Sequence, residues 1–151
     1  MIKVIQDISE IEDMSRLVEI IKRQMDYIGS KTDREGIINA LKNALCNDKR
    51  AVLFVSISSD NKYQSFVFAN VASGLESGGD YLWINELYVD ENYRRMNLAT
   101  KMLGYIETWC SENRIKYISC STGKANIKAQ ALYKKNGFDM TETIWVDKSI
   151  L

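Results

Sequence analysis

The spacing of apolar residues changes several times along the chain, and each change marks an element. Ile2 to Ile8 reads as an edge strand. Ser9 and Glu12 then show the S-x-x-E spacing of a capping box. Ile11, Met14, Leu17, Val18 and Ile21 follow at helical spacing, which predicts an amphipathic helix through about Tyr27. The pair Gly29-Ser30 interrupts it. Thr32 and Glu35 make a second capping box, for a helix carrying Ile37, Ile38, Leu41, Ala44 and Leu45. Next come AVLFVSIS and QSFVFANVA, β-rich runs separated by the turn-forming Ser59-Asp60-Asn61, the pattern of an antiparallel hairpin. The loop LESGGD leads into a further strand, YLWINELYV. Leu98 to Asn113 returns to helical spacing with Leu98, Met102, Leu103, Ile106 and Cys110. IKYISCS is a short strand, Asn126 to Asn136 a helix stopped by Gly137, and ETIWVDK a final strand.

The resulting order is β-α-α-β-β-β-α-β-α-β, with no linker, repeat or low-complexity stretch. It predicts an α/β chain with one mixed sheet and helices on both faces. The unit from Tyr81 to Ser121 is expected to be a parallel, right-handed βαβ crossover. At 151 residues, 46% of them apolar and 26% charged, the chain suits a single globular domain, residues 1–151, whose core needs no disulfide or metal.

Charge and chemistry narrow the function. Net charge is zero, with both signs mixed along the length, which argues against a nucleic-acid partner. The N-terminus turns acidic too early for a signal peptide, and no run reaches the ~20 apolar residues of a membrane helix, so a cytoplasmic protein without membrane contact is expected. Cys46, Cys110 and Cys120 lie in apolar stretches and read as reduced, buried thiols. The absence of histidine excludes imidazole catalysis and leaves a zinc site without its commonest nitrogen ligand, so no metal is expected.

One helix start stands apart. The helix near Asn97 is preceded by Tyr93-Arg94-Arg95 and carries no acid before Glu107. Unpaired first-turn N–H groups, a positive dipole end and two arginines make a receptor for phosphate between a strand and a helix. Here the chain resembles the GNAT superfamily of acyl-CoA-dependent N-acyltransferases, whose pyrophosphate loop reads Arg/Gln-x-x-Gly-x-Gly/Ala. Arg94 and Ala99 match its ends, while Asn97 stands where the family has glycine and Arg95 where another glycine is frequent. Asparagine tolerates left-handed backbone angles best among the other residues, so the loop can keep its shape. A second block, Asn126 to Phe138, reads N-x-x-A-x-x-L-Y-x-x-x-G-F and is similar to the family's C-terminal helix.

The resemblance implies an acetyl-CoA-dependent N-acetyltransferase, with a non-catalytic acyl-CoA sensor of the same fold as the alternative. It implies cofactor contacts from Leu87, Tyr88 and Val89 of the strand, from Arg94, Arg95, Met96, Asn97, Leu98, Ala99 and Thr100 of the loop and helix start, and from Asn126 and Tyr133. A carboxylate on an apolar strand is costly unless it faces a cleft, which makes Glu86 the candidate base. By resemblance, Tyr133 would protonate the leaving sulfur and the Leu87 N–H would polarise the thioester carbonyl. Tyr27, Trp83 and Trp145 are candidates for lining an acceptor pocket. The acceptor expected is a small-molecule amine or a peptide N-terminus. Homodimers are common in such proteins, and the sequence leaves the oligomeric state open.

Overall fold

Strand pairing in the computed structural model, which describes residues 1–48 and 50–150, follows sequence order throughout. β1 (Ile2–Ile5), β2 (Ala51–Ile57), β3 (Tyr63–Gly74) and β4 (Gly79–Val89) are antiparallel neighbours, and β5 (Ile118–Cys120) adds to β4 in parallel. Together with α1 (Met14–Tyr27), α2 (Arg34–Ala44) and α3 (Leu98–Glu112), these strands belong to a unit spanning Met1–Ser121. A second unit, Thr122–Leu151, holds α4 (Ile127–Lys135).

β2 is buried along its whole length because helices cover both faces of the sheet. Leu53, Val55 and Ile57 pack with Leu17, Val18, Ile20 and Ile21 of α1 and with Ile37 and Leu41 of α2. Phe54 points the other way and meets Tyr105 and Trp109 of α3 edge-on, with ring centroids 6.4 and 5.4 Å apart. A strand sandwiched like this reads as an unbroken apolar run, as AVLFV does. Burying each of these large side chains contributes about 1.5–3 kcal/mol.

Helix starts differ in detail from the sequence expectation. The capping box forms at Asp7 and Glu10 around a 3-10 turn, and Ser9 donates its hydroxyl to Asp7 Oδ1 (2.6 Å) instead of capping. Asp13 caps α1 through the Arg16 N–H, and Asp33 takes the place expected for Thr32, accepting from the Gly36 N–H at 2.8 Å. In each case a neighbouring carboxylate, the stronger acceptor, displaces the hydroxyl. β1 stops at Ile5, beyond which Asp7 bridges Cys46, and Cys46 is exposed where the sequence suggested burial.

In the second unit α4 ends in a Schellman motif. The Phe138 N–H donates to Tyr133 O at 3.0 Å, the Gly137 N–H to Lys134 O at 3.1 Å, and Gly137 has φ 81°. The Phe138 ring packs edge-on against Tyr133 at 5.3 Å, which accounts for the Tyr and Gly-Phe spacing of that block. The run Glu142–Lys148, expected as the last strand, forms no strand, and Ile144, Trp145 and Val146 are exposed. Alternating β-formers supply propensity, but a strand also requires a partner ladder, and this run has none among the described residues.

Candidate active site

Pairing along β4 is interrupted near its middle. Glu86 lies opposite Phe68 and Ile84 opposite Ala69, so Asn85 is an extra residue, a β-bulge whose Nδ2 donates to Asn70 Oδ1 at 2.6 Å. Pairing with β5 ends at the same place, at Ile84 opposite Cys120. From Asn85 to Val89 the strand is therefore laddered to β3 alone, and no strand among the described residues takes the backbone groups of its other edge.

Glu86 sits in this stretch. Its register with Phe68 and its spacing from Tyr88 put it on the sheet face that α1 and α2 cover. It is half-buried, and its carboxylate has no hydrogen bond or ion pair among the described residues. Burial pushes its carboxyl above the usual range, as expected of an acid removed from water without a compensating donor.

The chain leaves β4 through Asp90, passes a 3-10 turn at Glu91–Tyr93, and reaches α3 through two left-handed residues, Arg95 (φ 65°) and Asn97 (φ 59°). These are the positions where the resembled family favours glycine, and the backbone meets the same requirement with other side chains. Asn97 caps α3 without a side-chain hydrogen bond, unlike Asp13, Asp33 and Asn126 at the starts of α1, α2 and α4. The first turn of α3 holds no acid.

Arg95 is exposed and pairs with no acid among the described residues. Arg94 is more engaged. Its Nε donates to Val89 O at 3.2 Å, a guanidinium nitrogen lies 3.6 Å from Glu91, and its carbon lies 5.8 Å from the centroid of the Tyr88 ring. Met96 is exposed, while Leu98, Ala99 and Thr100 are half-buried in the first turn of α3.

Sequence reasoning missed Asp90. It is fully buried, and Oδ2 accepts from Arg16 (2.8 Å) and Arg23 (3.0 Å) of α1 while Oδ1 caps the Asn92 N–H (2.9 Å). Burial acts to raise its carboxyl, but the Asn92 N–H and the two guanidiniums outweigh it and hold the group below the usual carboxylate range. The available signal was a pair of arginines two turns apart on one face of an amphipathic helix.

Glu86, Leu87, Tyr88, Val89 and the segment from Arg94 to Thr100 are thus continuous in the first unit. Tyr133 and Asn126 lie in the second, where Tyr133 is buried in α4 and Asn126 caps that helix through the Ala129 N–H at 3.2 Å. Tyr27 and Trp145 are largely exposed, and Trp83 is half-buried on β4. Burial, aided by Glu107, pushes the Cys110 thiol up to about 11. Among the described residues no three acidic or cysteine side chains gather as metal ligands, and no helix is long and apolar enough to cross a membrane.

Residues 14–138 match the model of the acetyltransferase (GNAT) family, a stretch that includes β4, the loop and α4. No curated protein matches the chain in sequence. Among solved structures, a probable acetyltransferase shares its fold with TM-score 0.84 at 18% identity, over 99% of this chain and 99% of that one. The aminoglycoside 6'-N-acetyltransferase AAC(6')-IG from Acinetobacter haemolyticus matches with TM-score 0.76 at 17% identity, over 99% of each chain. AAC(6')-Iy, solved with the bisubstrate analog CoA-S-monomethyl-acetylneamine, matches with TM-score 0.75 at 12% identity, over 100% of this chain and 99% of that one. At such identities the structural likeness speaks for the fold, and the family match, which covers most of the sequence, carries the assignment: the chain belongs to the GNAT acetyltransferase family.

Proposed function

We propose that the protein is an acetyl-CoA-dependent N-acetyltransferase that acetylates a primary amine, on a small molecule or a peptide N-terminus, by direct attack within a ternary complex. The observation that carries this reading is Glu86, a half-buried carboxylate without a partner among the described residues, on the stretch of β4 left unladdered on one edge. The loop that follows fits the diphosphate of an acyl-CoA. Arg95 pairs with no acid among the described residues, Asn97 leaves the first turn of α3 without a side-chain cap, and a helix start of this kind favours an anion.

In this reading the edge backbone groups of Leu87, Tyr88 and Val89 bind the pantetheine arm as an added strand would, and the Leu87 N–H donates to the thioester oxygen. Glu86 takes the proton of the acceptor ammonium, directly or through water, leaving the amine lone pair to attack the carbonyl carbon. The C–N bond forms, the C–S bond breaks, Tyr133 gives the sulfur its proton, and the second proton that the nitrogen sheds as the amide forms restores the phenol through solvent. Asn126 adds a contact to the cofactor. Cys110 is a poor rival as an acyl-carrying nucleophile because burial keeps it a thiol. Aminoglycosides are sensible first acceptors, since AAC(6')-IG, whose fold is similar, is an aminoglycoside acetyltransferase by name.

The deciding experiment is a screen of aminoglycosides, small primary amines and free peptide N-termini against acetyl-CoA, read as thiol release. Turnover on one of them, with ternary-complex kinetics and about 10²–10⁴-fold slower turnover in Tyr133→Phe at similar CoA affinity, is the expected result. CoA binding without turnover on any amine would make the protein an acyl-CoA sensor. An acetyl group trapped on cysteine would overturn direct attack.

A further inference from the structure

The Arg16–Arg23–Asp90 cluster has no part in the chemistry just described, yet it joins α1 to the start of the proposed phosphate loop. Every polar atom of Asp90 is used. Besides the three side-chain contacts, its N–H donates to Gln64 O at 2.9 Å and its carbonyl accepts from the Tyr93 N–H at 2.9 Å. The arginines are themselves fixed. Arg16 Nε donates to Tyr63 O at 3.3 Å, and both guanidiniums pair with Glu19, at 3.0 and 2.6 Å.

We propose that Asp90, clamped by Arg16 and Arg23, is a positioning residue for the anion-binding loop, holding the turn from which Arg95 and Asn97 take their left-handed conformations. The inference rests on the reading of that loop as the acyl-CoA site. Left-handed backbone at two non-glycine residues is unfavourable by itself and persists only where its surroundings over-determine it. The Asp90 Oδ1 bond to the Asn92 N–H and the Tyr93 N–H bond to the Asp90 carbonyl fix the chain immediately upstream. Arg94 Nε on Val89 O ties the next residue back to the strand. A buried carboxylate between two guanidiniums has one low-energy placement, because displacing it leaves uncompensated charge in the interior. A ligand that draws on the loop is thereby coupled to the position of α1.

The test compares displacement of a fluorescent CoA by CoA and by pantetheine, which lacks the phosphates, in the parent protein, Asp90→Asn and Arg23→Gln. Arg23 is the more exposed arginine, so its variant serves if Asp90→Asn does not fold. The expected result is CoA affinity lowered about tenfold in the variants with pantetheine affinity unchanged, since only the phosphates use the loop. Unchanged CoA affinity in a folded variant overturns the inference, as does equal weakening of both ligands, which marks a general loss of structure. A parent protein that binds no CoA refutes the reading of the site itself.

Discussion

Asn97 holds a left-handed conformation that costs most side chains about 1–2 kcal/mol. Asn97→Gly should therefore fold and bind CoA as the parent does. Asn97→Val, whose branched Cβ crowds the backbone, should lose stability by about that amount and weaken CoA binding, as thermal melts and calorimetry would reveal. Glu86 carries an opposite pair of effects on activity and stability. Its carboxyl is raised by burial, so the acid limb of the pH–rate profile should lie above the ordinary ~4.3 of a glutamate, with the rate falling as pH drops through it. Glu86→Gln should remove that limb and slow turnover about 10²–10⁴-fold. A raised folded pKa also means that ionising the group opposes folding as pH rises. The same Glu86→Gln variant should accordingly melt no lower than the parent at neutral pH, and a clearly lower melting temperature would show that the carboxylate has a structural partner.

Between α1 and the end of β4, Asp90 behaves in the contrary sense. Its folded pKa is depressed, so the stability it contributes is present above the ~3.9 of an unfolded aspartate and is lost as pH falls through the lower folded value. The groups facing it from α1 are Arg16 and Arg23, with Glu19 behind them, and the arginines stay charged throughout that range. Melting temperature followed from pH 7 downward should fall below about pH 4 in the parent. It should fall less steeply in Asp90→Asn, which starts lower at neutral pH because the variant loses the charge that pairs with both arginines. Elements of this kind show where the sequence was readable and where it was not. The helices and the β2–β3 hairpin announce themselves through apolar spacing, and the Gly137-Phe138 pair through the local chemistry of a helix end. The caps shifted to Asp7, Asp13 and Asp33 because several acceptors compete within a few residues, and spacing alone does not rank them. Asp90 and its arginines were hidden because their contacts join distant parts of the chain, and the run Glu142–Lys148 was overread because β-propensity is silent about a partner.

Across the molecule, the family resemblance was legible in two short blocks, and the family match extends from them toward the N-terminus as far as residue 14. The remainder of the candidate site was not, since a bulge at Asn85 and the end of parallel pairing at Ile84 are properties of register, which no single strand encodes. That register also bears on the order in which the chain assembles. β2, β3 and β4 follow one another through tight connections and pair as successive hairpins, so their contacts close early and at small entropic cost. β5 reaches its place only after the whole of α3 has been laid down, and it holds that place through three residue pairs. Its amides should exchange with solvent well before those of β2 and β3, in an opening event smaller than global unfolding. The strand that delimits the unladdered stretch of β4 would then come away before the central hairpins do, and the length of free edge beside Leu87 would be set by a breathing motion rather than by a fixed wall.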